Sequence, residues 1–257
     1  MTPSRLRWPR RTVALSAGLA TRYGALVLDG LFPATCLLCN AAGAPLCDSC
    51  RDDATGRARH ACPCCAIPLP VDVHARRCGR CLRRAPAFDR TFAAATYEAP
   101  FAQLVRGFKY GAALAYAPLF ADLLHARITA LDPAIVDDID LLLPVPLAHE
   151  RMASRGFNQS IEIARLLARR IGKPLDTRSV LRIHDTSPQA ALPFEARRRN
   201  IRGAFCVVDA RRADLTGRRV AVVDDVMTTG ATLDELARTL KRAGVTSVSN
   251  CVVARTP

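Results

Sequence analysis

The rhythm of apolar and polar residues changes near residue 86. Beyond it, short apolar runs alternate with segments whose apolar positions recur three and four residues apart. The runs predict strands over Thr91–Tyr97, Ile139–Val145, Ser179–Ile183, Ala204–Val208, Arg219–Asp224 and Ser247–Ala254. The longer spacing predicts helices over Pro118–Leu131, Gln159–Ile171 and Thr232–Ala243. In the second helix Ile163, Leu166, Leu167 and Ile171 fall on one face. Leu233, Leu236, Ala237 and Leu240 do so in the third, and Gly244 follows as a C-terminal stop. Strands separated by helices call for crossover connections, hence an α/β fold with a parallel sheet flanked by helices.

Before residue 86 the pattern is set by cysteine instead. Nine of the 11 cysteines lie between positions 36 and 81. Eight form four C-x-x-C pairs: Cys36/Cys39, Cys47/Cys50, Cys62/Cys65 and Cys78/Cys81. Two intervening residues let both sulfurs face one ion while the turn's N–H groups point at them, which is the spacing of a zinc knuckle. A disulfide framework would need an oxidising compartment and leaves Cys64 over. Two structural four-thiolate zinc sites follow; sequential pairing is the simplest, and spacing alone leaves an interleaved one open. The segment has few large apolar residues, so metal supplies most of its folding free energy, about 10 kcal/mol per site. Chelation is therefore expected to unfold residues 36–84 and leave the rest. Cys206 and Cys251 lie in apolar runs and read as small core residues.

Length and composition narrow the class. At 257 residues, 50% hydrophobic and 23% charged, the chain is globular, with room for one large domain or for a medium one and a small module. The net charge of +14 is spread: residues 1–90 carry 14 basic and 6 acidic side chains, the remainder 23 and 17. Such a surplus favours polyanionic partners. No run approaches the length of a membrane span. Arg5, Arg7, Arg10 and Arg11 before the run Val13–Ala20 imitate a short export signal. Metal-type cysteine pairs and a phosphate site argue instead for a cytoplasmic protein with an N-terminal extension, partly helical or poorly ordered, over residues 1–31.

The chemistry concentrates in Val220-Ala-Val-Val-Asp224-Asp225-Val-Met-Thr228-Thr229-Gly230-Ala231-Thr232. An apolar strand ends in two carboxylates, at the sheet edge where open α/β folds bind ligands. A loop rich in Thr and Gly then leads into a helix, whose free N–H groups and dipole suit a phosphate. Acceptors for sugar hydroxyls beside a phosphate cradle make a site for a phosphorylated ribose. A Walker loop would need a lysine that is absent here. A receiver domain has paired aspartates but no need of the Thr-Thr-Gly-Ala-Thr loop.

This stretch resembles the phosphoribosyl-pyrophosphate motif of type I phosphoribosyltransferases, and residues 25–257 resemble the ComF family, a double zinc ribbon followed by such a domain. Leu142-Leu-Pro-Val-Pro-Leu147, Arg155-Gly-Phe-Asn158-Gln159, and Gln189 with Arg198 or Arg199, Asn200 and Ala204-Phe205 carry the likeness further. The extra Cys64 and the long N-terminal extension depart from it. The resemblance implies a ribbon over 32–86 and a phosphoribosyltransferase domain over 87–257, with a flexible loop at 184–203. It implies that Asp224 and Asp225 hold the ribose 2′ and 3′ hydroxyls, and that Thr228, Thr229, Gly230, Ala231 and Thr232 hold the 5′-phosphate. Arg155 and Gly156 would lie near the leaving pyrophosphate, with Asn158 and Gln159 as neutral donors. The alternative reading of Asn158 is a simple helix N-cap. Arg197–Arg199 and Arg202 are either phosphate ligands in the loop or a solvated charge run. Lys109, in Arg106-Gly-Phe-Lys-Tyr-Gly111, reads as an exposed turn residue.

Two functions follow. One is enzymatic: transfer of a phosphoribosyl group, with a substrate-bound Mg²⁺ neutralising the pyrophosphate. The other is an adaptor or sensor that contacts single-stranded DNA or competence proteins through the ribbon. Family membership implies natural competence and DNA uptake. Residues 36–84 contain no Trp, Tyr or Phe, so DNA contact there is expected to be electrostatic rather than stacked.

Overall fold

A computed structural model describes residues 34–70, 77–109, 113–131, 133–148, 152–153, 156–183 and 201–257. The N-terminal extension, Arg155 and most of the 184–203 loop lie outside these residues, as does the side chain of Lys109. The chain divides into two compact units, one ending at Cys47 and the other running from Asp48 to Pro257.

In the larger unit four strands form a wholly parallel sheet in the order β1-β6-β5-β2. They are β1 (Arg90–Thr96), β2 (Leu141–Pro144), β5 (Arg219–Met227) and β6 (Ser247–Arg255). The remaining two, β3 (Val180–Arg182) and β4 (Phe205–Val207), leave the sheet and pair antiparallel with each other. The sequence reading names these six strands and a parallel sheet without assigning each strand to it; four of them form it. At three residues each, β3 and β4 are too short to span a sheet, and Leu181 and Ile183 remain exposed. Cys206 sits on this ribbon and is only half-buried, whereas Cys251 on central β6 is fully buried as expected.

Besides a four-residue helical turn at Arg212–Leu215, the described residues form six α-helices: α1 (Asp48–Arg59), α2 (Gly79–Arg83), α3 (Phe101–Lys109), α4 (Ala113–Leu131), α5 (Gln159–Ile171) and α6 (Ala231–Arg242). Helix α4 starts five residues before the predicted Pro118, because a proline this near a helix start forfeits only its bond to the carbonyl of Leu114. Phe101, Phe108 and Tyr116 meet Phe120 edge-on, with ring centroids 6.0, 5.1 and 6.4 Å away. Gly107 serves this junction: a Cβ there would lie 3.4 Å from the Tyr116 ring.

Alternation along the strands divides the sheet's two faces. Ala93, Leu143, Val220, Val222, Val248 and Val252 face a core that also contains Leu233, Leu236 and Leu240 of α6. The same core takes in Cys62, Cys64, Cys65 and Cys81. The second cysteine cluster thus shares its core with the sheet and α6.

Side chains pin the sheet's amino-terminal edge. Asp140 at the foot of β2 accepts from Arg219 N at 2.8 Å, from Nε at 3.2 Å and from Nη2 at 2.8 Å. These donors and the adjacent guanidinium charge hold its carboxyl down at about 2. Asp89 likewise accepts from Val248 N and from Lys241 Nζ, both at 2.8 Å. The opposite, carboxyl-terminal edge carries the candidate chemistry.

Candidate functional site

The cysteines separate into two groups, Cys36/Cys39/Cys47/Cys50 and Cys62/Cys65/Cys78/Cys81, each with all sulfurs within 4.8 Å of one another. Pairing is sequential. The nearest contacts, Cys39 to Cys47 and Cys65 to Cys78, are both 3.6 Å. A tetrahedral zinc with Zn–S of about 2.3 Å requires sulfurs about 3.8 Å apart, so the donor sets fit that ion. Two zinc-binding sites of four cysteines each are the result.

The two knuckles share a pattern of backbone hydrogen bonds. Asn40 N donates to Cys36 O and Ala66 N to Cys62 O, and both residues turn left-handed, at φ 60° and 53°. Cys36 N then donates to Ala41 O, and Cys62 N to Ile67 O. Amides of Cys47, Cys39 and Leu38 pull the Cys36 thiol down to about 6, which favours the metal-binding thiolate. Burial pushes Cys81 the other way. Cys64, the leftover cysteine, is buried against the sheet, and its carbonyl accepts from Thr91 Oγ1 at 2.7 Å.

At the sheet's carboxyl-terminal edge β5 runs three residues past its predicted end, through both aspartates to Met227. Asp224 and Asp225 are half-buried. Asp225 N donates to Asp224 Oδ1 at 2.9 Å, and Val226 N to Asp225 Oδ1 at 2.6 Å. Thr228 and Thr229 follow, and Gly230, at φ 80°, turns the chain into α6. The N-cap residue Gly230 brings no side-chain acceptor, and the first helical amide, Ala231 N, donates to Thr229 Oγ1 at 3.3 Å. The positive end of the helix dipole thus follows the two carboxylates along the chain.

Strand β2 lies beside β5, with Val145 N donating to Val223 O at 2.9 Å. The chain returns through Gly156, at φ 75°, into α5, whose first turn meets the β5 edge. Asn158 is buried and bifunctional: it accepts from Ser160 N at 2.9 Å and donates to Val145 O at 3.0 Å. The helix-cap reading of Asn158 is the one the geometry supports, since that side chain is spent on positioning. Gln159 is buried beside it. Ser160, which the sequence reading passes over, donates its hydroxyl to Asp224 Oδ1 at 3.0 Å. A serine in the second position of a helix looks ordinary in sequence; only the fold brings it to the carboxylate.

The structure thus brings Asp224, Asp225, Thr228–Thr232, Gly156, Asn158 and Gln159 to one edge. Arg155, Gln189 and Arg197–Arg199 lie outside the described residues. Thr229, Gly230, Ala231 and Asp234 also line one wall of a cleft of about 150 Å³. Its other wall holds Cys65, Cys81, Arg80 and Arg84 of the second knuckle. No periodicity in the sequence places that knuckle beside the loop.

Comparison with known proteins agrees with this architecture. A phosphoribosyl transferase domain model matches residues 158–257, and a double zinc ribbon domain model matches residues 27–82. The DNA utilization protein YhgH of Escherichia coli K12 is 32% identical over 87% of this chain and 98% of its own length. Competence protein F of Haemophilus influenzae is 31% identical over 72% of this chain and 81% of its own. The competence protein ComFC of Bacillus subtilis is 27% identical over 82% and 84%.

Proposed function

The chain belongs to the ComF family, and from that premise we propose that it binds phosphoribosyl pyrophosphate with Mg²⁺ at the 224–232 turn and acts in the handling of incoming DNA. One observation carries the ligand: Asp224, oriented by Ser160, stands at the strand end that leads through the Thr-Gly turn into the start of α6. Asp224 and Asp225 accept hydrogen bonds from the ribose 2′ and 3′ hydroxyls. The hydroxyls and amides of residues 228–232 hold the 5′-phosphate. The turn at Gly156 and the start of α5 face the pyrophosphate, with Arg155 proposed as a cationic ligand for it. Mg²⁺ bound mainly by the substrate's own oxygens neutralises that leaving group.

In a transfer reaction the bond from C1 to the pyrophosphate oxygen breaks, an acceptor's lone pair bonds C1, and the acceptor loses a proton. The protein's share is binding, orientation and exclusion of water, so no side-chain nucleophile is required. The 184–203 segment is proposed as the cover. Calorimetric titration with phosphoribosyl pyrophosphate tests the reading. Saturable binding, one ligand per chain and dependent on Mg²⁺, is expected; titration without heat at millimolar ligand contradicts it.

The DNA role rests on the relatives named for competence and DNA utilization and on the basic N-terminal third, in a protein proposed to work in the cytoplasm. Among the described residues no helix is long and apolar enough to cross a membrane. With no aromatic residue over 36–84, single-stranded DNA contact by the ribbon is electrostatic. Its affinity is expected to fall steeply with salt and to ignore sequence. A dissociation constant unmoved between low and physiological salt contradicts this mode.

A further inference from the structure

We propose that Arg255 is a positioning residue that couples the second four-cysteine centre to the phosphate loop, so that metal occupancy at the ribbon sets the conformation of residues 228–231. The inference deepens the phosphoribose reading and rests on it only for the loop's ligand.

Arg255 is the last residue of β6 and only 2% exposed. Its Nε donates to the carbonyl of Cys65, a ligand residue of the second centre, at 2.9 Å. Its Nη1 donates to the carbonyl of Met227 at 3.3 Å, and also to that of Thr256. Met227 is its cross-strand partner on β5 and immediately precedes Thr228. One buried guanidinium therefore ties the backbone of a metal knuckle to the backbone at the mouth of the loop.

The carbonyls of Cys65, Met227 and Thr256 that accept from this guanidinium give it dipoles and no opposing charge. A buried cation needs one. Four thiolates around one divalent ion carry a net charge of −2, and this is the nearby anion.

The knuckle has further anchors at the start of β1. Thr91 N donates to Pro63 O at 3.1 Å and Thr91 Oγ1 to Cys64 O at 2.7 Å. With Arg255, three consecutive carbonyls of the knuckle are held by β1 and β6. Metal on Cys65 keeps those carbonyls in register. Without it Arg255 loses both an acceptor and its counter-charge, and its hold on Met227 slackens.

Hydrogen exchange of the amides of 228–231 tests this on the full chain, with zinc content measured in parallel. In wild type, chelation is expected to speed that exchange about tenfold, the effect of one charge-assisted hydrogen bond. In Arg255→Met the exchange is already fast with zinc bound, and chelation adds less than about twofold, because the link is already cut. Arg255→Lys, which keeps the charge and a donor, recovers part of the protection. Cys39→Ser, which disables only the first centre, leaves the exchange as in wild type. Unchanged exchange on chelating wild type overturns the proposal, as does a full tenfold response in Arg255→Met or a loss in Cys39→Ser. Should Arg255→Met not fold, the wild-type, Arg255→Lys and Cys39→Ser results still decide. The readout needs no phosphoribosyl pyrophosphate: coupled exchange in a protein that fails to bind it would leave the coupling standing and sink the ligand assignment alone.

Discussion

Ser160 and Asp224 show how little of a site need be chemically unusual. The serine hydroxyl gives a carboxylate one fixed donor, at 3.0 Å, from a neighbouring helix. Ser160→Ala removes the donor and little else, so its expected cost is in ligand affinity rather than in folding. A hydrogen bond to a charged group contributes about 1.5 kcal/mol, or roughly tenfold in dissociation constant. Calorimetry should show that loss while the melting temperature stays near wild type; equal affinity would remove Ser160 from the site. Asp140 makes the converse case, structural and remote. Its carboxyl is depressed from 3.8 to about 2 by Arg219, so its contribution is fully present above the higher value. It fades as pH falls toward the lower one. Acid melting curves of Asp140→Asn should accordingly lack that part of the wild-type decline, and parallel curves would show that the pair contributes nothing.

Among the elements, the turn from β5 into α6 is the most constrained. Gly230 takes a left-handed conformation, and a Cβ there would stand 2.6 Å from the Met227 Cε. The methionine can swing away, but the backbone strain remains, about 1–2 kcal/mol for an L side chain. Gly230→Ala is expected to lower the melting temperature and weaken ligand binding together, and a variant unchanged in both would show the turn to be permissive. The end of β5 was harder to read than its start. Val220–Val223 are apolar and buried, whereas two carboxylates look like a strand's end unless a neighbour accompanies them, as β6 does to Met227. Helix α3 hid for a different reason. Phe101, Leu104, Val105 and Phe108 have helical spacing, but the glycines at 107 and 111 imitate a turn. Gly107 is there because the Tyr116 ring approaches it. Helix α1 offers no stripe to find, burying only Ala54 and Ala58.

Over the whole molecule, the parallel sheet and both metal centres were legible because they rest on local signals: apolar runs, and sulfurs two residues apart. What was not legible is the joining of the second centre to the domain, since it depends on contacts between residues 62–81 and 220–255 that no local pattern encodes. Protein purified without chelator should carry two zinc ions per chain, one for each cysteine group. Because the second group shares the domain core, chelation should lower the stability of the domain and not merely release a tail. Metal-free protein with an unaltered melting transition would contradict the shared core.

The central claim, that the β5–α6 turn grips a phosphoribosyl group, is tested most directly by calorimetry of phosphoribosyl pyrophosphate with Mg²⁺ on the Asp224→Ala/Asp225→Ala double variant beside wild type. Loss of two charge-assisted hydrogen bonds predicts binding weakened about a hundredfold or more, with the zinc content and fold unchanged. Equal affinity in the two proteins would contradict the claim.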